Sequence, residues 1–368
     1  MLKYSTAGES HGRCLIAIVE GLPFGLTIDE DLINRELQRR QGGYGRGERM
    51  KIEADRVEFL GGVRKGRTIG SPIAMMIVNK DCRIDTAPAV TQPRPGHADF
   101  AGMRKFGTDD ARDILERASA RETAARVAAG ALAKLLLREA GVDVVGYVVG
   151  IGMMQIVSPW MDPAALREAR DKSDTYCPDP AATEKMKLEI DAARKDGDTV
   201  GGLIEVQAFD VPPGLGSHAQ WDIRLDGRIA QSVMSIQGIK SVEIGMGRDV
   251  AFVRGSQVHD EIVPGTQGRP GRASNRAGGI EGGISNGCPV IVRAAMKPIP
   301  TMMRPMRTVD MRTGEVTSAS TERSDICAVP AASVVVENVV AFDIAVALME
   351  KFGGDSMDET KQRLHQAR

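Results

Sequence analysis

Short blocks of apolar and polar positions alternate along the chain and predict strands interleaved with helices. The run Cys14–Glu20 is apolar and partly β-branched, which predicts a strand. In residues 29–40, Leu32, Ile33 and Leu37 recur at helical spacing, which predicts an amphipathic helix. Further strands are predicted by apolar runs at residues 57–63, 72–78, 142–151, 202–208 and 290–295.

The strongest helix signal begins at Ser119. Ser119 and Glu122 have the spacing of a capping box, the following residues to Arg138 are rich in Ala and Leu, and Gly141 suits the C-terminal cap. Two more helices are predicted at residues 222–236 and 334–352. Glycine content predicts loops at 41–49 and 265–274, the latter mobile. Residues 160–198 are predicted to form a helical surface excursion with two short helices, and residues 355–368 a C-terminal tail.

This order of elements indicates an α+β fold in one domain covering residues 1–368. The predicted strands are spaced too irregularly for a doubly wound parallel sheet. The sequence contains no strict repeat and no convincing linker.

Composition narrows the functional classes. The 48 basic and 49 acidic residues give a net charge of −1, so no global positive field attracts nucleic acid. The five cysteines are widely spaced without a CxxC pair, which favours reduced thiols and no metal site. The amino-terminal residues do not resemble a signal peptide, and no apolar run is expected to reach the about 20 residues of a membrane span. We therefore expect a cytoplasmic protein.

Several segments carry candidate chemistry for binding a polyanion and moving protons. The segment GESHGR contains His11, and RPGHADF presents His97 with Asp99 beside it. A glycine-rich loop carries four arginines that suit phosphate or carboxylate, namely Arg39, Arg40, Arg46 and Arg49. Each segment has a structural alternative: a hydrogen-bonded turn for either histidine, or a solvated basic loop for the arginines.

Four later segments extend this set. Arg117 and Arg121 flank the start of the strongest helix, where an anion is favoured. The glycine pairs of SNRAGGIEGGISNG allow close approach of a flat ligand or merely form turns. KPIPT, residues 297–301, can hold a phosphate, and the segment around Arg323 and Asp325 can be a relay or a salt bridge.

The set and order of these segments resembles the chorismate synthase family. GESHG, the RR…GR..R loop, RPGHAD, the helix beginning ARET, GGIxGGxSNG, KPIPT and RSDxCAVPAA occur in the family's order, from the amino terminus to about Gly354. Seven segments in one order are far more specific than any single motif. The resemblance implies the family's β-α-β sandwich and a homotetramer.

The resemblance also implies an activity and its cofactor. The family eliminates phosphate from 5-enolpyruvylshikimate 3-phosphate in an anti-1,4 reaction that gives chorismate, the last common step towards the aromatic amino acids. The reaction needs reduced FMN without consuming electrons overall. NADPH would enter only as a flavin reductant, and an external reductant is the favoured expectation. Neither nucleic acid nor membrane is an expected partner.

Site residues carry over by matched motif. The catalytic set would be His11 near flavin N1 and C2=O, His97 near the leaving phosphate, and Asp325 near flavin N5. Substrate anions would be held by Arg40, Arg46, Arg49, Arg121 and Arg323, with Arg40 and Arg46 also assigned to NADP in bifunctional relatives. Flavin contacts would be Arg117, Ala118, Ser119, Gln237, Gly238, Gly282, Lys297, Pro298, Ile299, Pro300, Thr301 and Arg323.

Four positions depart from the pattern common in the family, and they leave flavin affinity open. They are Ala118, Gly238, Ser241 and Asn338. Three other functions fit the sequence less well. A non-flavin phosphotransferase lacks a P-loop or kinase motif, a single-stranded RNA-binding protein conflicts with 4% aromatic residues, and a flavin-storage protein would not need both histidines and Asp325.

Overall fold

The computed structural model describes residues 1–47, 54–265, 270–321 and 324–367. Its helices are α1 Glu30–Gln41, α2 Asp99–Phe106, α3 Arg112–Ala118, α4 Thr123–Glu139, α5 Pro163–Asp171, α6 Pro180–Lys195, α7 Leu225–Met234, α8 Gly255–Val258, α9 Val329–Phe352 and α10 Met357–Ala367. Short 3-10 turns cover Ala120–Glu122, Trp221–Ile223 and Gly247–Phe252.

The strands match most of the apolar runs of the sequence. They are β1 Lys3–Ala7, β2 Cys14–Glu20, β3 Glu58–Gly61, β4 Val63–Arg64, β5 Arg67–Thr68, β6 Ile73–Val78, β7 Asp143–Ile151, β8 Met154–Gln155, β9 Gly202–Phe209, β10 Ile239–Ile244, β11 Ile262–Val263, β12 Gly271–Arg272, β13 Ile280–Glu281, β14 Ile284–Ser285, β15 Val290–Met296, β16 Arg307–Val309 and β17 Val316–Ser318.

Two antiparallel sheets form the outer layers. The first has the order β1-β2-β6-β3, with Cys14 of β2 opposite Val78 of β6. The second has the order β10-β15-β9-β7-β8, with Val144 of β7 opposite Ala208 of β9. Strand pairing within both sheets is antiparallel, which agrees with the sequence argument against a doubly wound parallel sheet.

A helical layer lies between the sheets and completes a β-α-β sandwich. Helix α4 packs on β2 and β6, helix α9 packs on β7 and β9, and the two helices pack on each other. They approach so closely that a Cβ on Gly130 of α4 would lie 2.3 Å from the carbonyl oxygen of Asn338 of α9. The α+β class and the sandwich predicted from the sequence are confirmed.

Helix α9 is the core helix, and it corrects one prediction. It has 24 residues and a window of mean hydropathy 1.9, so in the described residues it is long and apolar enough to cross a membrane. The expectation that no apolar run reaches that length was therefore wrong. The same window is 83% buried inside the protein, which is the situation of a helix packed between two sheets.

A buried charge cluster ties α1, α4, α9 and the α5 segment together. Its members are Glu36, Arg39, Lys134, Arg170 and Glu337. Lys134 lies 2.8 Å from Glu36, while Arg39 and Arg170 lie 2.8 and 3.1 Å from Glu337. Burial alone would raise the pKa of Glu36, but Arg39 and Lys134 outweigh it and lower the pKa to about 2.

Four element predictions differ in detail from the structure. Helix α9 begins at Val329, five residues before the predicted start, because Pro330 fits a first helical turn. The Glu122 carboxylate does not complete the expected box, since it accepts hydrogen bonds from Thr6, Arg126 and Gln237 instead. Residues 160–198 contain α5 and α6 as predicted, but the segment also buries an apolar face, and the C-terminal tail contains α10.

Candidate active site

A cavity of about 880 Å³ opens at one end of the helical layer. Its walls come from stretches of chain that are far apart in sequence, between residues 10 and 335. The basic side chains on its wall are Arg40, Arg46, Arg83, Arg94, Arg121 and Lys297, and the acidic ones are Asp81 and Asp325. In the part of the wall that the structure describes, six basic groups against two acidic groups favour an anionic ligand.

His11 lies in the tight loop between β1 and β2, and this loop is held from several sides. The side-chain amide of Asn79 donates to the carbonyl oxygens of Glu9 and Gly12 at 3.0 and 2.8 Å. Gly8 has φ +100°, and a Cβ there would lie 2.2 Å from the Cys14 carbonyl oxygen, so the turn requires glycine. The loop is thus fixed before any ligand binds.

The His11 ring is placed between two carboxylates. Its Nδ1 lies 2.8 Å from Oε1 of Glu116, and its Nε2 lies 3.7 Å from Oδ2 of Asp81. Glu116 is 1% exposed and does not line the cavity, whereas Asp81 does. Nδ1 of His11 is therefore hydrogen-bonded to a residue of the interior, and Nε2 lies on the cavity side.

His97 is held in a similar way by Asp99. The His97 Nδ1 is hydrogen-bonded to Asp99 Oδ1, and Arg94 donates to the same carboxylate through Nε at 2.8 Å. Arg94 also donates to the hydroxyl of Thr301 at 3.0 Å, which joins the RPGHADF turn to the KPIPT loop. Burial would raise the pKa of Asp99, but hydrogen bonds from His97 and Arg94 hold it well below its usual range. An ionised Asp99 fixes the orientation of His97.

Two of the predicted arginines share one buried acid. Asp55 lies 2.7 Å from Nη1 of Arg121 and 3.4 Å from Nη1 of Arg40. Arg40 also donates to Thr123 Oγ1 at 2.8 Å, and Arg121 to Asn79 Oδ1 at 2.9 Å. Burial lowers the pKa of Arg40 to about 10, although Asp55 opposes that shift. Arg40 therefore remains cationic near neutral pH, and both guanidinium groups are rigidly placed.

Arg46 and Asp325 form an ion pair across the cavity wall. The Nη1 of Arg46 lies 2.5 Å from Oδ2 of Asp325, and the backbone N–H of Gly47 donates to Oδ1. The pair therefore links the arginine loop to the segment before α9. Any anion that binds Arg46 must share it with Asp325.

Another set of lining residues suits a flat, partly apolar ligand. It consists of Ala118, Ser119, Gln237, Gly238 and the 296–301 segment, with the apolar side chains of Leu115, Ile236, Ala331 and Val335 nearby. Gln237 donates through Nε2 to Glu122, while its buried Oε1 has no partner in the described part of the chain. A bound group with an N–H donor would satisfy that oxygen, because a buried acceptor without a partner costs about 1–3 kcal/mol.

The cavity collects most of the residues predicted from sequence, with some exceptions. His11, His97, Asp325, Arg40, Arg46 and Arg121 line it, as do Ala118, Ser119, Gln237, Gly238, Lys297, Pro298, Ile299, Pro300 and Thr301. Arg117 and Gly282 are not on its wall within the described residues. Arg117 instead donates to the carbonyl oxygens of Gly8 and Thr6, and Gly282 lies at the β13–β14 turn.

Four more predictions have a separate outcome. Arg49 and Arg323 lie outside the described residues, so their roles stay predictions. The tip of the loop predicted at 265–274 also lies partly outside them. Arg39 belongs to the buried charge cluster and lies 2.8 Å from Glu337, so it serves the interior and not the cavity.

Sequence reasoning missed Glu116, Asp55 and Arg94 as groups that hold the site. Glu116 is 105 positions from His11, and Asp55 is 66 positions from Arg121. No local pattern could reveal these pairs. Arg94 lies inside a predicted segment, and its position five residues before Asp99 was an available signal.

Comparison with known proteins agrees with the geometry. The family model described as chorismate synthase matches residues 2–349. The chain is 57% identical to the chorismate synthase of Desulforudis audaxviator over 98% of this chain and 95% of that protein, and 55% identical to that of Desulforamulus reducens over 100% and 98%. A solved structure titled as a crystal structure of chorismate synthase superposes with a TM-score of 0.82 at 44% identity, covering 99% of this chain and 96% of that one.

Proposed function

The chain belongs to the chorismate synthase family, and from that premise we propose how its cavity carries out the family's reaction. The enzyme is a lyase of the shikimate pathway that converts 5-enolpyruvylshikimate 3-phosphate to chorismate and phosphate with a flavin cofactor. We propose that the flavin is reduced FMN, that residues of the cavity bind the ligands and handle protons, and that the enzyme is a homotetramer. The observation that carries it is the pair of carboxylate-held histidines on the wall of one strongly basic cavity.

The arginines of the cavity match the charge of the substrate. The substrate carries a phosphate and two carboxylates, and guanidinium groups bind such anions bidentately. Arg40 and Arg121 are held in place by Asp55, so little side-chain entropy is lost when an anion binds them. We assign substrate binding to Arg40, Arg46 and Arg121, with Arg49 and Arg323 as further proposed contacts.

The flavin would lie against the part of the wall that offers backbone and apolar contacts. Ala118, Ser119, Gln237, Gly238 and residues 297–301 would hold it, and the unpartnered Oε1 of Gln237 fits an N–H of an isoalloxazine ring. Reduced FMN held there would supply transient electron donation to the substrate, which helps phosphate leave, with no net loss of electrons. The protein supplies orientation, charge and proton management.

The two histidines and Asp325 are the proposed proton-handling groups. His97, between Arg94 and the cavity, would donate a proton to the leaving phosphate, and His11 would hold the proton balance at flavin N1 and C2=O. Asp325 would act at flavin N5. A substrate anion that binds Arg46 would share it with Asp325 and so weaken its hold on the carboxylate that acts in that step.

Two anaerobic assays test the function. Substrate is given with dithionite-reduced FMN while chorismate and phosphate are followed, and then with NADPH and oxidised FMN. We expect chorismate in the first assay only, which indicates dependence on an outside reductant. Chorismate in both assays would make the enzyme bifunctional, and the NADP role of Arg40 and Arg46 would then apply. No product in either assay from folded protein would contradict the proposed function.

A substitution tests the role of His97. His97→Ala is expected to lose about 10²–10⁴-fold in kcat, because a positioned proton-transfer group contributes that much. Reduced FMN should still bind, which a flavin fluorescence titration measures. An unchanged kcat would remove His97 from the chemistry.

Assembly and location are also proposals. Large apolar side chains are exposed on the described surface, including Trp160, Trp221 and Phe252 at 81, 78 and 81%. Such side chains support burial between copies in a homotetramer. Light scattering at assay concentration would test the tetramer, and a stable monomer would contradict it. We propose a cytoplasmic location, in keeping with five free cysteines.

A further inference from the structure

We propose that Glu116 is a positioning residue for His11 that fixes which ring nitrogen faces the cavity. Its expected effect on turnover rests on the proposed function, whereas its effect on the histidine ring does not. Glu116 lies on α3 and has no place on the cavity wall, so it acts only through His11.

The contacts between Glu116 and His11 are double. The carboxylate lies 2.8 Å from Nδ1 of His11 through Oε1, and its Oε2 accepts the backbone N–H of His11 at 2.8 Å. The backbone of Glu116 holds the same loop, since its carbonyl oxygen accepts a hydrogen bond from the backbone N–H of Ser10 at 2.9 Å. One residue therefore holds both the ring and the backbone of the histidine loop.

The protonation of Glu116 decides the tautomer of His11. Burial would raise the pKa of Glu116, but hydrogen bonds from His11 and Arg112 outweigh it and lower the pKa. An ionised carboxylate only accepts hydrogen bonds, so the proton of a neutral His11 ring must lie on Nδ1. The Nε2 atom is then an acceptor on the cavity side, where Asp81 lies 3.7 Å away.

The second histidine of the cavity has the same arrangement. His97 also directs Nδ1 at a buried carboxylate, that of Asp99, which is 0% exposed, and here Arg94 Nη2 also lies 3.1 Å from the same nitrogen. Both rings therefore present Nε2 as the nitrogen available to a ligand. A pair of histidines with the same tautomer can take up and return protons through equivalent atoms, as a histidine oriented by a carboxylate does in hydrolases.

Replacing Glu116 by glutamine separates positioning from simple packing. The amide keeps the size of the side chain but offers one oxygen and one NH2 group in place of two acceptors. If the oxygen keeps the backbone N–H of His11, the NH2 group faces Nδ1 and favours the Nε2–H tautomer. The loop then keeps its position while the proton of the neutral His11 ring moves from Nδ1 to Nε2.

The direct readout is nitrogen NMR of the resting protein labelled with ¹⁵N-histidine. The chain has five histidines, and His11→Asn assigns the His11 signals by their loss. We expect the Nδ1–H tautomer in the unsubstituted protein and the Nε2–H tautomer in Glu116→Gln. An Nε2–H tautomer of His11 in the unsubstituted protein would overturn the proposal even if the variant failed to fold.

Turnover gives the second readout. Glu116→Gln should lower kcat by about 10²-fold or more, with little change in KM and a displaced pH profile, because a wrong tautomer removes the acceptor nitrogen. Glu205→Gln is the matched control. Glu205 is 0% exposed, accepts a hydrogen bond from the Ser158 hydroxyl at 2.6 Å and does not line the cavity. A folded Glu116→Gln variant with normal kcat and pH profile would refute the positioning role. If the unsubstituted protein forms no chorismate, the proposed function fails while the tautomer result still stands or falls by itself.

Discussion

Substitution of Glu36 in the buried charge cluster tests the electrostatic account of the helical layer. In the folded protein the pKa of Glu36 is lowered from 4.5 to about 2. A lowered carboxylate pKa contributes stability that is fully present above the unfolded value and is lost as pH falls towards the folded value. At about 1.4 kcal/mol for each pKa unit, Glu36 contributes about 3 kcal/mol at pH 7.

The variant Glu36→Gln removes this pH-dependent part. The difference in free energy of unfolding between the unsubstituted protein and the variant should shrink by about 2 kcal/mol from pH 7 to pH 3, since about 1.5 pKa units of the titration lie in that range. A constant cost is added at all pH values, because Lys134 loses a charged partner in the interior.

Urea unfolding followed by circular dichroism at pH 7, 5, 4 and 3 measures the difference, at one protein concentration because assembly shifts apparent stability. Glu168→Gln is the control, as Glu168 pairs with Lys172 on the surface and should change stability little at any pH. A difference between Glu36→Gln and the unsubstituted protein that stays flat from pH 7 to pH 3 would refute the assignment of the cluster as the source of this acid sensitivity.

Three shorter predictions follow from buried positions. Gly130→Ala should lower the free energy of unfolding, measured in urea, by about 1–3 kcal/mol, because the new Cβ would lie 2.3 Å from the Asn338 carbonyl oxygen. This clash outweighs the helix preference of alanine over glycine, which is up to about 1 kcal/mol. A more stable variant would contradict the close packing. Burial raises the pKa of Asp343 to about 8, so the folded form binds one more proton than the unfolded form between about pH 4 and 8, and stability falls as pH rises through that range. Asp343→Asn should therefore raise Tm more at pH 8 than at pH 5. An equal rise in Tm at both pH values would show that the carboxylate is not desolvated. In the native protein an aromatic disulfide reagent should label the exposed Cys82 rapidly and leave Cys327 unlabelled, because burial raises the pKa of the Cys327 thiol to about 12. Fast labelling of Cys327 would mean that the segment before α9 opens readily.

Periodicity predicted the elements well where one face of an element is buried. The helix predicted at residues 29–40 is α1, displaced by one residue, with Asp29 accepting from the backbone N–H of Leu32 as its cap. The strand at β2 has the predicted bounds. Helix α9 was predicted five residues short at its start, and the additional turn includes Pro330, which is compatible with the first turn of a helix. Its length and apolar character come from contacts on all sides.

The site was predictable as a set of residues and less so as an arrangement. The adjacent residues Arg39 and Arg40 look alike in the sequence, but neighbouring residues on a helix point about 100° apart. Arg40 therefore reaches the cavity, and Arg39 reaches Glu337 in the interior. Asp99 could be found because it lies two residues from His97, but Glu116 and Asp55 could not, since contacts between positions such as 11 and 116 depend on the completed fold.

The position of α9 in the sequence has a consequence for the order in which the enzyme becomes functional during synthesis. This helix separates the two sheets and supplies Ala331 and Val335 to the cavity, yet it begins only at residue 329. A ribosome that adds residues in order leaves the inner face of the second sheet, and the side of α4 that packs on α9, without their partner until α9 has emerged. Contacts of such long sequence separation form slowly. A nascent chain of this protein therefore depends on other means of shielding its apolar faces, such as chaperones, for most of its synthesis.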